Sequence, residues 1–245
     1  MKLVFSDEFD YEGKPNPEKW IHETGNDWHN NEQQYYTDNE RNAFVKDGKL
    51  HIVALLEDMG TRKYTSARLT TYGKYSFTYG RVEMRAKLPT GVGSWPAFWM
   101  LSDAIHEGTG WPLSGEIDIM EYAHGVDPTE MHVSLHSELY NHSIGTQETF
   151  VANLDGLTDD FHTYTCDWEK DKVTFLFDDK EIATFYRDKR SNGEPKEQGE
   201  AAWPFDQPFH ILLNLAVGGF FAHDKIVDED LPFTYEIDYV KVWQK

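Results

Sequence analysis

The sequence holds 245 residues, with 43 Asp and Glu against 23 Lys and Arg, for a formal net charge of -20. That excess opposes the polyanionic backbone of nucleic acid and anionic membrane surfaces, whereas a neutral polymer meets no repulsion. The single cysteine, Cys166, excludes an intrachain disulfide, and no apolar run reaches the roughly 18 residues of a spanning helix. Hydrophobic residues at 39% supply a core, and an aromatic content of 15% with 8 Trp exceeds ordinary packing needs and points to a surface that stacks on a ligand such as sugar. All-β units commonly reach this length, and no linker or repeat divides the chain, so residues 1–245 are expected to form one domain.

In chain order, short alternating runs between turn clusters read as strands: Leu50–Leu56, Tyr75–Leu88, Val173–Phe177 and Thr234–Trp243. Asp47-Gly48 and Asp178-Asp179 read as hairpin tips, and Cys166 as a small buried strand residue. The polar and aromatic stretches 23–42, 102–114 and 137–156 read as loops that wall a cleft, and 187–204 as a solvated excursion. No helical pattern of 12 residues occurs. Strands at this spacing without crossover helices predict an all-β, antiparallel β-sandwich.

The stretch Gly115-Glu116-Ile117-Asp118-Ile119-Met120-Glu121-Tyr122 carries three acids within six residues, separated by large apolar groups. On a strand Glu116 and Asp118 share a face, while Glu121 has the opposite parity. An inserted residue corrects that parity, so a β-bulge is expected near Ile119-Met120. The bulged step then spans about four strand residues, or roughly 13 Å between Cα atoms. Two Glu side chains leaning together reduce that to about 5 Å, the carboxyl separation of a retaining glycosidase rather than the ~6.5–9.5 Å of an inverting one. Spacing alone leaves a charged edge strand or a calcium site open beside catalysis.

This stretch resembles the Glu-x-Asp-x-x-Glu signature of glycoside hydrolase family 16, in its laminarinase-like (endo-β-1,3-glucanase) branch. Phe5–Asp10, Asn30–Tyr36, Tyr64–Leu69, Tyr79–Glu83, Trp95–Met100, Phe161–Tyr164, Trp203–Pro208 and Asn214–Gly219 also look like that branch, in its order. The resemblance implies a concanavalin-like β-jelly roll with an open substrate cleft on its concave face. It also implies endo-hydrolysis of β-1,3-glucan by double displacement, with no cofactor for catalysis. A mixed-linkage β-1,3-1,4-glucanase and a non-catalytic, lectin-like glucan binder are the rival readings. The partner is then a β-glucan polymer and the protein a monomer. Met1–Asp7 lacks the apolar core of a signal peptide, but the family's polymeric substrates make an extracellular location the expectation.

Carried onto this chain, the signature implies that Glu116 is the nucleophile, Glu121 the general acid/base, and Asp118 the hydrogen-bonding partner of the nucleophile. Trp95, Trp99 and Trp111 are expected as sugar platforms, and Asn31 and Arg68 as donors to sugar hydroxyls. His132 and His136 share a strand face. With no third ligand at a recognisable spacing, they are not expected to bind metal, and His136 is expected to neighbour Glu121. Two departures stand out. Ser137-Glu-Leu replaces the family's Gly-Pro-Gly, and Phe221 occupies a position where relatives often carry Trp. Finally, Glu8, Gly48 and Asp238 match positions at which relatives bind a structural calcium ion, for which hard oxygen ligands are suited.

Overall fold

A computed structural model describes residues 1–245 and contains two sheets packed on one core. The seven-stranded sheet runs, in spatial order, Glu148–Asn153, Glu130–His136, Glu116–Tyr122, Ser94–Ser102, Phe209–Val217, Arg68–Thr70 and Ile21–His22. The ten-stranded sheet runs Lys180–Tyr186, Lys172–Phe177, His162–Trp168, Gly80–Lys87, Phe233–Gln244, Lys49–Met59, Arg62–Ser66 and Gln34–Tyr36, with Lys2–Asp7 on Phe233–Gln244 and Ala43–Lys46 on Lys49–Met59. Every ladder is antiparallel except that between Gln34–Tyr36 and Arg62–Ser66. The helical content is three short 3-10 turns, and no helix is long and apolar enough to cross a membrane. This is the antiparallel β-sandwich expected from the alternating pattern, in the β-jelly-roll form that the resemblance implies.

Alternation drives the packing. In Gly80–Lys87, Val82, Met84 and Ala86 are fully buried while Glu83 and Arg85 stay on the outer face. The inward sets of both sheets merge into a cluster of 45 buried residues, in which Trp168 meets Phe77, Tyr79 and Phe209 edge-on and donates its indole N–H to Phe205 O at 3.0 Å. Cys166 is buried there as a small apolar residue. Both predicted hairpin tips have positive φ at two consecutive residues, 52° and 71° at Asp47-Gly48 and 46° and 63° at Asp178-Asp179. Tight hairpins of matching twist require this.

Three expectations need correction. The run Tyr75–Leu88 is strand only over Gly80–Lys87, because Tyr79 takes φ 60° and Gly80 φ 140°, and a Cβ at Gly80 would lie 2.5 Å from Trp243 O. The stretch 137–156 is not all loop: Glu148–Asn153 forms the sheet's edge strand. The stretch 187–204 is not a free excursion, since Arg190 and Ser191 bind the buried carboxylate of Glu148. Lys196 is itself buried, donating to Tyr186 O at 2.9 Å with its ammonium 5.2 Å from the Trp203 ring.

Candidate active site

Gly115 opens the acid-bearing strand with φ 84°, and a Cβ there would come within 2.7 Å of Pro204. Only glycine fits this approach. From it, Glu116 pairs with His136 on one side and Leu101 on the other, and Asp118 with Ser134 and Trp99. The register then shifts, between Asp118 and Glu121 on one ladder and between Asp118 and Met120 on the other, before Glu121 meets His132 and Ala97. Ile119 and Met120 both enter the core, while Glu116, Asp118 and Glu121 all line one cleft of about 660 Å³. The bulge therefore lies where parity demands it.

Each outer acid has an indole donor. Trp111 Nε1 donates to Glu116 Oε2 at 2.9 Å, and Trp95 Nε1 to Glu121 Oε1 at 3.2 Å. Asp118, 2% exposed, lies between them. Burial first, and the charge of Asp118 second, push the Glu116 carboxyl up to about 8. Burial first, and the charge of Glu116 second, push Glu121 up to about 7. Burial also holds Asp118 well above the ordinary carboxylate range. Each ionisation makes the next harder, so the cluster retains a proton at neutral pH. The charge of His136 lowers both outer carboxyls and so does not choose between them, while the shorter indole bond lies on Glu116.

His136 is a correction. It sits beside Glu116 and Asp118, with Nε2 at 3.1 Å from Asp118 Oδ2 and 3.9 Å from Glu116 Oε1, and it is His132 that stands opposite Glu121.

Trp99 donates to Asn214 Oδ1 at 2.7 Å, Asn214 donates to Tyr36 OH at 3.0 Å, and Tyr36 donates to the buried carboxyl of Glu32 at 3.1 Å. This chain fixes one wall of the cleft. Arg68 is held by Glu23, with its guanidinium 4.7 Å from the Trp28 ring and 4.8 Å from that of Trp99. Phe221 stacks on Trp95 with centroids 5.0 Å apart and so backs the indole that reaches Glu121. Asn31 is turned away, its amide donating to Asp224 at 2.9 Å, while Asn30 lines the cleft instead.

Sequence reasoning missed Glu23, Trp28, Asn214 and His142. Trp28 had a signal, an aromatic residue in a long polar loop; the others depend on long-range contacts. His142 arrives on the loop that replaces Gly-Pro-Gly. There Asn141 Nδ2 donates to Ser137 O and Glu138 O, which sets the His142 ring 4.9 Å from Trp111 and 5.1 Å from His136.

Glu8, Gly48 and Asp238 lie far from the cleft, on the other sheet. Strand Phe233–Gln244 pairs with Lys49–Met59 as far as Ile237 and with Lys2–Asp7 from Val240 on, so Asp238 falls at the change of partner. Glu8 and the Gly48 turn flank that gap in register. Asp238 Oδ2 takes Arg85 at 2.6 Å and Glu8 Oε2 faces Lys241 at 3.4 Å, leaving one oxygen of each carboxylate and the local carbonyls as donors of the right chemistry for calcium.

The model of the glycosyl hydrolases family 16 matches residues 41–241. A β-glucanase of Rhodothermus marinus is 44% identical over 247 residues, covering 99% of this chain and 85% of its own. The crystal structure of the laminarinase from the same organism superposes with a TM-score of 0.92 at 43% identity, over 99% of this chain and 97% of that one. A non-specific endo-β-1,3(4)-glucanase of known structure matches with a TM-score of 0.90 at 38% identity, over 100% of this chain and 91% of its own. An acid triad turned to one side by a bulge, on a jelly roll matched over its length, identifies this chain as a glycoside hydrolase of family 16.

Proposed function

We propose that the protein is a single-domain endo-β-1,3-glucanase that retains anomeric configuration. The observation that carries the reading is the bulge at Ile119-Met120, which brings Glu121 to the face of Glu116 with an indole N–H on each carboxyl. In the first step a Glu116 oxygen bonds the anomeric carbon as the C–O bond to the departing sugar breaks, and Glu121 gives its proton to that oxygen. In the second step Glu121, now a carboxylate, takes a proton from water, whose oxygen bonds the same carbon and releases Glu116. Asp118 holds the nucleophile's orientation. The open cleft, with Trp99, Trp111 and Trp28 on its walls, suits a chain entering in mid-polymer.

A second reading, hydrolysis of mixed β-1,3-1,4 linkages, is favoured by the similarity to a non-specific β-1,3(4)-glucanase. Reducing-end release is measured on laminarin, curdlan and lichenan. Rapid release of short oligosaccharides from laminarin is expected. Activity on lichenan alone overturns the β-1,3 assignment, and binding without new reducing ends makes the domain a lectin.

We further propose a stabilising calcium ion at Glu8, Gly48 and Asp238. It rests on the break in the ladder at Asp238, and it acts on the fold rather than the chemistry. Chelator is expected to lower Tm while leaving the initial laminarin rate at moderate temperature unchanged. An unchanged Tm refutes it.

A further inference from the structure

The triad contains a feature that double displacement does not use. His136 Nε2, an Asp118 oxygen and a Glu116 oxygen all lie within 4.8 Å of one another. Two ligands bound to zinc at about 2.0–2.1 Å with a tetrahedral angle stand about 3.3 Å apart. The observed 3.1 Å from His136 Nε2 to Asp118 Oδ2 and 3.9 Å to Glu116 Oε1 bracket that separation. These three donor atoms face one another and are bound by no side chain outside the cluster. Asp118 Oδ2 is buried without a hydrogen-bond partner, and Trp111 occupies the other oxygen of Glu116. A divalent cation here would satisfy the buried Asp118 oxygen and relieve the repulsion between two carboxylates.

The geometry points to an inhibitory zinc site formed by Glu116, Asp118 and His136, with the fourth position open to water in the cleft. One imidazole with two carboxylates suits Zn²⁺ better than calcium, which prefers six or more oxygens. The ion would hold the Glu116 carboxylate that must attack carbon, so zinc and glucan exclude each other. The site is not braced for tight binding. His136 Nδ1 has no partner, and loss of such an outer hydrogen bond weakens metal sites by about 10–100-fold. Reversible binding follows. The pairing of His132 with His136 considered from sequence is replaced by His136 with two acids from the neighbouring strand, a juxtaposition set by the ladder and invisible in the spacing.

The test is isothermal titration of the calcium-saturated protein with zinc chloride, alone and with a saturating β-1,3-gluco-oligosaccharide. Glu121→Gln, which is expected to turn over glucan about 10²–10⁴-fold more slowly and keeps all three ligands, is expected to bind one zinc ion as the wild type does. The oligosaccharide is expected to abolish that binding, and His136→Gln to weaken it at least tenfold. Asp118→Asn, which keeps shape and volume, serves as a second ligand variant should His136→Gln fold poorly. Steady-state inhibition of the wild type is expected to be competitive and reversed by chelator. Wild-type zinc affinity in both ligand variants, or a titration indifferent to the oligosaccharide, places the ion elsewhere and overturns the proposal. Laminarin hydrolysis is scored separately, so zinc binding without hydrolysis would sink the proposed function and leave this site standing.

Discussion

Glu121→Gln is expected to lower turnover of laminarin by about 10²–10⁴-fold, the usual contribution of a positioned general acid/base. The amide keeps the shape of the carboxyl and can still accept the Trp95 N–H that now reaches Glu121 Oε1 at 3.2 Å, so the fold survives. The defect depends on the leaving group. A sugar alkoxide needs a proton as it departs, whereas an activated aryl leaving group does not. On an aryl β-glucoside of β-1,3-linked glucose the variant should therefore form the glycosyl-enzyme quickly and hydrolyse it slowly, giving a burst of phenol, and azide should restore the second step. Near-wild-type turnover of laminarin removes Glu121 from the role. For the wild type, burial pushes both outer carboxyls up, Glu121 to about 7 and Glu116 to about 8, and the reaction needs the pair to hold one proton, so kcat/KM is expected to be bell-shaped with pH and to peak between those values.

Glu116→Gln should be more severe, because it removes the group that bonds carbon. Neither an activated leaving group nor azide is expected to restore retaining turnover, which separates it from Glu121→Gln. Its effect on stability has the opposite sign. The folded-state carboxyl of Glu116 is raised from 4.5 to about 8, so the folded protein holds the proton more tightly than the unfolded chain does. Stability is therefore unaffected by this group below about pH 4.5 and is lost progressively as pH climbs toward 8. The neutral amide never meets that penalty. At pH 8 the variant is expected to melt at least about 2–4 °C above the wild type, the shift that 1 kcal/mol produces in a chain of this size. At pH 4 the difference should vanish. A variant less stable than the wild type at pH 8 contradicts the burial of charge at this position.

Much of this site was legible because alternation is a local property. The acids, the bulge and both hairpin tips follow from parity and turn chemistry within a few residues. The limits were equally physical. His136 is expected beside Glu121 but pairs with Glu116, since which residue stands across a ladder depends on register, and Asn31, expected as a donor to sugar, gives its amide to Asp224 from the far end of the chain. Arg68 lines the cleft, and what the sequence does not announce is the Glu23 carboxylate that takes its Nε and the two indoles that flank its guanidinium. The 187–204 segment looked solvated because Lys and Arg are usually outside, and nothing local announces that Glu148 waits in the core to receive them.

The irregularity at Ile119-Met120 also bears on how such a strand can change over generations. In an unbroken strand the loss or gain of one residue turns every later side chain to the opposite surface, and a catalytic group is lost with it. Here the extra residue is already absorbed. A chain lacking Met120 would present its three acids on the same side by simple alternation, so the longer and shorter forms are one deletion apart, the shorter without the core side chain that Met120 supplies. The count of residues in this segment can thus differ by one while the outer acids stay about four strand steps apart, so the separation of attack from proton transfer is the same in both forms.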